Sequence, residues 1–137
     1  MKEKWAEYIR HYEGLRLKPY MCPSGHLTIG YGHNLENAIP LKIAEDLLQA
    51  DLSYAQMEVG GQFPWANELD EVRQFVLVDM CFNMGLTKLL TFKKFLAELE
   101  KKDYQTAAKE MLSSRWAAQV GRRAQELAEM MKTGEYV

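Results

Sequence analysis

The sequence predicts an α+β fold, in which a small amino-terminal lobe containing a β-hairpin is joined by a long helix to a helical carboxy-terminal lobe. Two extended runs meet at "CPSG", residues 40–57 repeat apolar side chains at helical spacing, and every pattern beyond residue 70 is helical. A chain of 137 residues is long enough for one domain with at most two lobes. We expect an amino-terminal lobe of about residues 13–60 and a helical lobe made of residues 1–12 and 61–137.

The amino-terminal half contains three predicted elements. Residues 3–12 place aromatic and aliphatic side chains on one helical face, and Gly14 is expected to end that helix. The runs "LRLKPYM" and "HLTIGYG" predict a hairpin, because the proline and glycine between them favour a turn. Residues 40–57 form the connecting helix, with Pro40 in its first turn and "GGQFP" at 60–64 as its end.

The carboxy-terminal half is expected to be entirely helical. Asp70 is a plausible N-cap for "EVRQFVLVDMCFNM", whose apolar residues surround the helix axis and so predict the central core helix. Gly85 should close this helix, and Cys81 within it is expected to be a small buried hydrophobic residue. Amphipathic segments follow near 91–100, 104–112 and 121–131. The sheet should therefore consist of one hairpin.

Composition narrows the class of protein. Hydrophobic residues make up 47% and charged residues 26% of the chain, as in ordinary globular proteins. No apolar run approaches the roughly 18 residues of a membrane span, and the first residues lack the apolar core of a signal peptide, so we expect cytosolic synthesis without membrane insertion. The net charge of −2, with mildly basic ends and an acidic middle, is not the clustered basic surface of a nucleic-acid-binding protein. Two cysteines are too few for a disulfide framework.

Chemically suggestive residues cluster between the first helix and the hairpin. Glu13 falls on the last helical turn, where the negative end of the helix favours the protonated carboxyl that a general acid needs, although most glutamates are surface charges. Thr28, taken alone, is an ordinary strand residue. Cys22 with His26 and His33 allows a zinc site or a thiol nucleophile with a histidine base. The spacing is untypical of zinc ligands and shows no fourth ligand.

Taken together, these residues resemble a known signature. "EGLRLKPY", then Cys22, then "SGHLTIGYGH" resembles phage-type lysozymes, glycoside hydrolase family 24, in which an acid, eight residues, Asp or Cys, five residues and Thr form the catalytic set. "FNMG" at 82–85, "SSRWAAQVGRRA" at 113–124 and "KTGEY" at 132–136 resemble the carboxy-terminal lobe of the same family. The resemblance covers nearly the whole chain. It implies a peptidoglycan hydrolase that cleaves the β-1,4 bond between N-acetylmuramic acid and N-acetylglucosamine without a metal or organic cofactor.

The resemblance also implies residue roles. Glu13 would be the general acid, Cys22 would stand where the family commonly has aspartate, and Thr28 would hold the water or sugar on the other face. A salt bridge between His33 and Asp51 would tie the hairpin to the connecting helix. Substrate-binding or site-supporting positions in the helical lobe would be Phe82, Asn83, Arg115, Trp116 and Arg123. Of these, Arg123 would reach toward the acid.

The role of Cys22 stays open at this stage. A thiol with the ordinary pKa is mostly neutral at pH 7, whereas a thiolate favoured by basic neighbours such as Arg16 or Lys18 is a strong nucleophile. Cys22 is therefore a nucleophile giving retention, a base giving inversion, or a small positioning group.

Two departures from larger family members bear on function. Only "NLENAIP" separates His33 from the helix near Leu41, which reduces the small lobe, and a pI of about 5.9 weakens attraction to an anionic wall.

The resemblance implies a monomeric endolysin that is made in the host bacterial cytoplasm and reaches the cell wall through a separate holin-like partner. The alternatives are a wall-binding module that lost catalysis and a wall-targeting toxin domain of a longer chain.

Overall fold

The computed structural model describes residues 2–137 and confirms the α+β class, with a three-stranded antiparallel sheet and eight α-helices in that range. The chain divides into two compact units, the first ending at Ala44 and the second beginning at Glu45. The lobes expected from the sequence, with residues 1–12 in the helical lobe, differ from this division and stay a prediction. Across residues 2–137, none of the helices combines the length and the apolar character that crossing a membrane requires.

The amino-terminal unit contains the first helix and the sheet. Its elements are α1 (Glu3–Glu13), β1 (Arg16–Met21), β2 (Leu27–Gly30) and β3 (His33–Asn34). As predicted, α1 ends at Gly14, which adopts a φ of 70° that glycine tolerates. The strands lie in the order β1-β2-β3, so Thr28 pairs with Tyr20 on one side and with Asn34 on the other. Strand β3 was not predicted, because two residues are too few to show an alternating pattern.

The predicted turn between β1 and β2 is confirmed. The Cys22 amide donates to the His26 carbonyl at 2.9 Å, and the Gly25 amide donates to the Cys22 carbonyl at 2.9 Å. Pro23 occupies the second position of this turn, and Gly25 has a φ of 86°. A type I turn followed by a left-handed glycine is a common three-residue hairpin connection. The turn therefore leaves Cys22 and His26 facing each other across the end of the hairpin.

The connecting helix is longer than predicted. Helix α2 spans Leu41–Gln62 and continues through Gly60 and Gly61, which the sequence suggested as its end. Val59 is buried, and its carbonyl accepts a hydrogen bond from the Phe63 amide at 2.8 Å. This packing outweighs the cost of roughly 1 kcal/mol that each glycine adds to a helix interior.

The second unit is helical. After a 3₁₀ helix at Pro64–Glu68 come α3 (Glu71–Met84), α4 (Leu86–Leu89), α5 (Lys93–Glu100), α6 (Tyr104–Leu112), α7 (Arg115–Val120) and α8 (Arg122–Thr133). The longer helices were predicted, whereas the 3₁₀ helix, α4 and α7 are too short to show helical periodicity. Asp70 caps α3, as predicted, by accepting the Arg73 amide at 3.1 Å. Helix α3 lies in the core, where Val76, Leu77 and Met80 are fully buried and Cys81 is buried as expected.

Candidate active site

Glu13, the predicted general acid, is the last residue of α1 and lies against Gly32 in the turn between β2 and β3. A Cβ atom on Gly32 would lie 2.5 Å from Glu13 Oε2 and 2.7 Å from its Cδ, so any larger residue would displace the carboxyl group. Gly32 also has a φ of 76°, which glycine adopts without a steric penalty. The glycine backbone therefore supports one side of the Glu13 carboxyl group.

If Glu13 is the general acid that the resemblance implies, Gly32→Ala should lower wall lysis by a factor of about ten or more, because displacing a catalytic group by an ångström is costly. Gly30→Ala is the matched control, since Gly30 has a similar φ of 69° but nothing within 4 Å of an added Cβ. Both variants should lose comparable thermal stability through backbone strain. Initial rates of wall clearing measure the effect on activity, and melting temperatures measure the effect on stability. Equal activity in the two variants would show that the Gly32 contact does not position Glu13.

Cys22 occupies the first position of the hairpin turn, and its sulfur has two polar neighbours. The Cys22 Sγ atom lies 3.1 Å from Ser24 Oγ, and the His26 backbone amide donates to the same sulfur at 3.4 Å. Both neighbours belong to the turn itself. A sulfur held in this way has hydrogen-bond donors for the negative charge of a thiolate.

These contacts lower the pKa of Cys22 to about 7, chiefly through the Ser24 hydroxyl and next through the His26 amide. The residue is therefore about half ionised near neutral pH. The sequence suggested Arg16 or Lys18 as the source of thiolate character, and that suggestion was wrong: hydrogen bonds within the turn supply it.

Thr28 lies on the central strand β2 and is 4% exposed, the one buried polar side chain among residues 2–137. Its hydroxyl donates to the His26 carbonyl at 2.8 Å, which fixes the rotamer and leaves the oxygen able to accept. The same carbonyl accepts the Cys22 amide. The peptide groups of His26 thus connect the cysteine and the threonine.

His26 itself is fixed at its side chain. Its Nδ1 atom lies 3.1 Å from Glu36 Oε2, in a pair whose side chains are about half exposed. No part of this arrangement resembles a catalytic Cys–His pair, because the His26 backbone rather than its ring contacts the sulfur. His26 therefore supports the turn through its backbone amide and its contact with Glu36.

The three predicted catalytic residues line a common cavity of about 550 Å³ within the amino-terminal unit. Glu13, Cys22 and Thr28 lie in its wall together with Arg16 and Tyr20, whose guanidinium and ring centroid are 4.8 Å apart. The volume is in the range of small-molecule sites. The cavity therefore offers a carboxyl group, an ionisable thiol and a hydroxyl to one ligand.

Trp116 and Asn83, two positions of the helical unit that the resemblance implies as site-supporting, contact each other. The Trp116 Nε1 atom donates to Asn83 Oδ1 at 2.8 Å. Trp116 is only 1% exposed and packs edge-on against Phe92, with ring centroids 6.4 Å apart. Its ring is thus part of the core, and its indole N–H orients the exposed Asn83 amide.

Arg115 lies on a second cavity, of about 530 Å³, at the surface of the helical unit. Four cationic side chains and one acidic side chain line it, namely Lys88, Lys93, Lys94, Arg115 and Glu110. None of the three predicted catalytic residues lines this cavity. Phe82, another position that the resemblance implies, is 40% exposed near the end of α3.

Arg123, at the start of α8, forms an ion pair with Asp79 of α3. Its Nε and Nη2 atoms donate to the two carboxylate oxygens at 3.0 and 2.8 Å. The hydrogen bond to Asp79 raises the pKa of Arg123, so its positive charge is permanent. The implied role of Arg123 toward the acid stays a prediction, as does the implied salt bridge between His33 of β3 and Asp51 of α2.

A separate prediction concerns the stability that the ion pair between Arg123 and Asp79 contributes. Asp79→Asn keeps the shape but removes the charge and one acceptor, so unfolding should become easier by about 1 kcal/mol, because the pair is bidentate but partly exposed. The melting temperature should fall by roughly 4 °C. Raising the salt concentration should reduce the difference between parent and variant. An unchanged melting temperature at low salt would show that the pair contributes nothing to folding.

Sequence reasoning missed Ser24, Gly32 and Asp79. The "CPSG" turn was recognised, and its serine two positions after the cysteine was the available signal for a side-chain contact within the turn. Gly32 gave no such signal, since its contact with Glu13 spans 19 positions and depends on the third strand. Asp79 lies 44 positions from its partner.

Comparisons with known proteins find similar sequences along most of the chain. The family model described as "Phage lysozyme" matches residues 10–132. "Probable T4-type lysozyme 1" of Dictyostelium discoideum is 28% identical over 93% of this chain and 93% of its own length. "Endolysin" of Acyrthosiphon pisum secondary endosymbiont phage 1 is 32% identical over 82% of this chain and 77% of its own length. "Pre-baseplate central spike protein Gp5" of Enterobacteria phage T4 is 27% identical over 94% of this chain, but over only 28% of its own length.

Proposed function

Because this chain belongs to the phage lysozyme family, we propose that it is a glycoside hydrolase that cleaves the β-1,4 bond between N-acetylmuramic acid and N-acetylglucosamine in peptidoglycan. The observation that carries the proposal is the cavity whose wall contains Glu13, Cys22 and Thr28. A carboxyl group and a second group able to assist water are the minimum that glycoside hydrolysis requires.

Glu13 supplies the acid. In its protonated form it donates a proton to the glycosidic oxygen as the bond to the anomeric carbon breaks, which leaves a carboxylate and a sugar hydroxyl. Its position as the last residue of α1 places the carboxyl group in the wall of the cavity that also contains Cys22 and Thr28. Gly32 keeps the carboxyl group in place through the close backbone approach.

Cys22 supplies the base. As a thiolate it accepts a proton from the water that attacks the anomeric carbon, and its negative charge stabilises the positive charge of the oxocarbenium-like transition state. The water oxygen becomes the new anomeric hydroxyl, and Glu13 and Cys22 then exchange their protons with solvent. Thr28 accepts a hydrogen bond from that water, because its own proton is engaged with the His26 carbonyl. This assignment predicts inversion at the anomeric carbon.

The biological setting is part of the proposal. The relative named "Endolysin" supports a bacteriolytic enzyme acting on the cell wall during phage or prophage release. We place synthesis in the host bacterial cytoplasm, action as a monomer, and access to the wall through a separate holin-like partner.

A wall-binding module without catalysis is the competing function. Both kinds of protein would bind insoluble peptidoglycan, but only a hydrolase converts it to soluble fragments. Purified protein incubated with isolated Gram-negative peptidoglycan should therefore release soluble muropeptides, and the turbidity of permeabilised cells should fall. Sedimentation of the protein with the wall without release of fragments would favour the binding module.

A further inference from the structure

Ser24 is not one of the three residues in the catalytic set that the resemblance implies, yet its hydroxyl is the nearest hydrogen-bonding group to the Cys22 sulfur. It occupies the third position of the hairpin turn, two residues after Cys22, and its Oγ lies 3.1 Å from Sγ. The turn places the two side chains on the same side because the Gly25 amide closes the loop onto the Cys22 carbonyl. Ser24 also lines the cavity that holds Glu13.

We propose that Ser24 is a positioning residue for the hydrolysis reaction, since its hydroxyl donates a hydrogen bond to the Cys22 sulfur and, with the His26 amide, keeps that sulfur ionised in the cavity. The inference rests on the proposed function, in which the Cys22 thiolate accepts the proton of the attacking water. Ser24 touches neither substrate nor water in this mechanism. It acts through Cys22 alone.

The geometry favours a hydrogen bond to the charged form over a purely structural contact. The serine hydroxyl can rotate to donate to sulfur, whereas a neutral thiol would be a weak donor in return. The His26 amide donates to the same sulfur at 3.4 Å. With the serine hydroxyl as donor, the sulfur accepts two hydrogen bonds, which is the arrangement expected for a thiolate.

Other charged or titratable groups lie around the same cavity and must be considered in any pH dependence. They are Tyr12, Glu13, Arg16, Tyr20 and His26, the last paired with Glu36. None of them contributes to the lowered pKa of Cys22 through its side chain, whereas the Ser24 hydroxyl is the largest cause. Removal of that hydroxyl should therefore change the titration of Cys22 specifically.

The test compares Ser24→Ala with the parent and with Ser24→Thr, which keeps a hydroxyl. The rate of alkylation of Cys22 by iodoacetamide is followed against pH by mass spectrometry of the labelled peptide, which separates it from the buried Cys81. Ser24→Ala should move the midpoint upward by about one pH unit, and Ser24→Thr should restore most of it. Ser53→Ala, an exposed serine on α2, is the control that should leave the midpoint unchanged.

The same variants are assayed for release of soluble fragments from peptidoglycan between pH 5 and 9. Because the reaction needs Glu13 protonated while Cys22 is ionised, the limb of the profile that Cys22 sets should move to higher pH in Ser24→Ala by as much as the alkylation midpoint moves. In the Cys22→Asp background, where the carboxylate is ionised across this range, Ser24→Ala should have little effect on the profile. An equal loss in that background would show that Ser24 supports the turn rather than the thiolate.

The outcomes separate this inference from the function on which it rests. An unchanged alkylation midpoint in Ser24→Ala overturns the positioning role, whether or not the wall is hydrolysed. A shifted midpoint without a matching shift of the lysis profile also overturns it, because the thiolate would then not limit the reaction. If the parent releases no fragments at any pH, the proposed function fails, and the role of Ser24 in the reaction fails with it.

Discussion

Glu13→Gln is expected to lower the rate of wall lysis by a factor of about one hundred or more, because glutamine keeps the size and hydrogen-bonding reach of glutamate but cannot donate the required proton. The fold should be retained, with stability unchanged or slightly raised, since a negative charge at the carboxyl end of α1 disappears. The initial rate at which permeabilised cells clear tests the loss of lysis, and the melting temperature tests the retained stability. Glu7→Gln, an exposed acid on the same helix, is the matched control and should clear cells at the parental rate.

A Glu13→Gln protein that clears cells as fast as the parent would remove Glu13 from the chemistry. The contact with Gly32 would then be a structural feature only. A slow variant that also melts well below the parent would instead point to a folding defect. The two measurements are therefore made on the same preparations.

Substitutions at Cys22 are expected to have the second large effect, and they distinguish the three possible roles. If the position must accept a proton, Cys22→Asp should be at least as active as the parent, while Cys22→Ser should lose activity by a factor on the order of one hundred. If the sulfur only positions water, Cys22→Ser should be tolerated. If it is a nucleophile, alkylation should inactivate the parent in step with ionisation, and the product should retain its anomeric configuration.

The pH dependence follows from the pKa of Cys22, which hydrogen bonds from the turn lower to about 7. The thiolate predominates above that value and is lost as the pH falls through it. Because the reaction needs Glu13 protonated while Cys22 is ionised, one limb of the parental pH profile should have its midpoint near pH 7, and Cys22→Asp should move that limb to lower pH, because an aspartate is ionised above about pH 4. A parental profile that is flat from pH 5 to 8 would contradict a thiolate base.

The fold was largely predictable because most of its elements carry local signals. Asp70 before an apolar run predicted the start of α3, and Gly14 predicted the end of α1. Local signals failed where packing decided the outcome. Gly60 and Gly61 remain helical because Val59 is buried beside them, and the two-residue strand β3 exists only through its pairing with β2.

The candidate site was predictable in its residue types but not in its electrostatics. The resemblance to the family pattern implied the set Glu13, Cys22 and Thr28, and all three residues line one cavity. The source of thiolate character could not be inferred from charge counting, because it depends on hydrogen-bond donors inside a turn. Ser24 and the His26 amide supply it through distances that only the folded hairpin defines.

The most direct test of the central claim is the identity of the new reducing ends that the protein creates in peptidoglycan. Isolated wall is digested, the products are reduced with borohydride, and the reduced sugars are identified by mass spectrometry. The proposed function predicts that the new reducing ends are N-acetylmuramic acid, and that Glu13→Gln releases almost none. New reducing ends of N-acetylglucosamine, cleavage confined to the peptide stems, or an intact wall would contradict it.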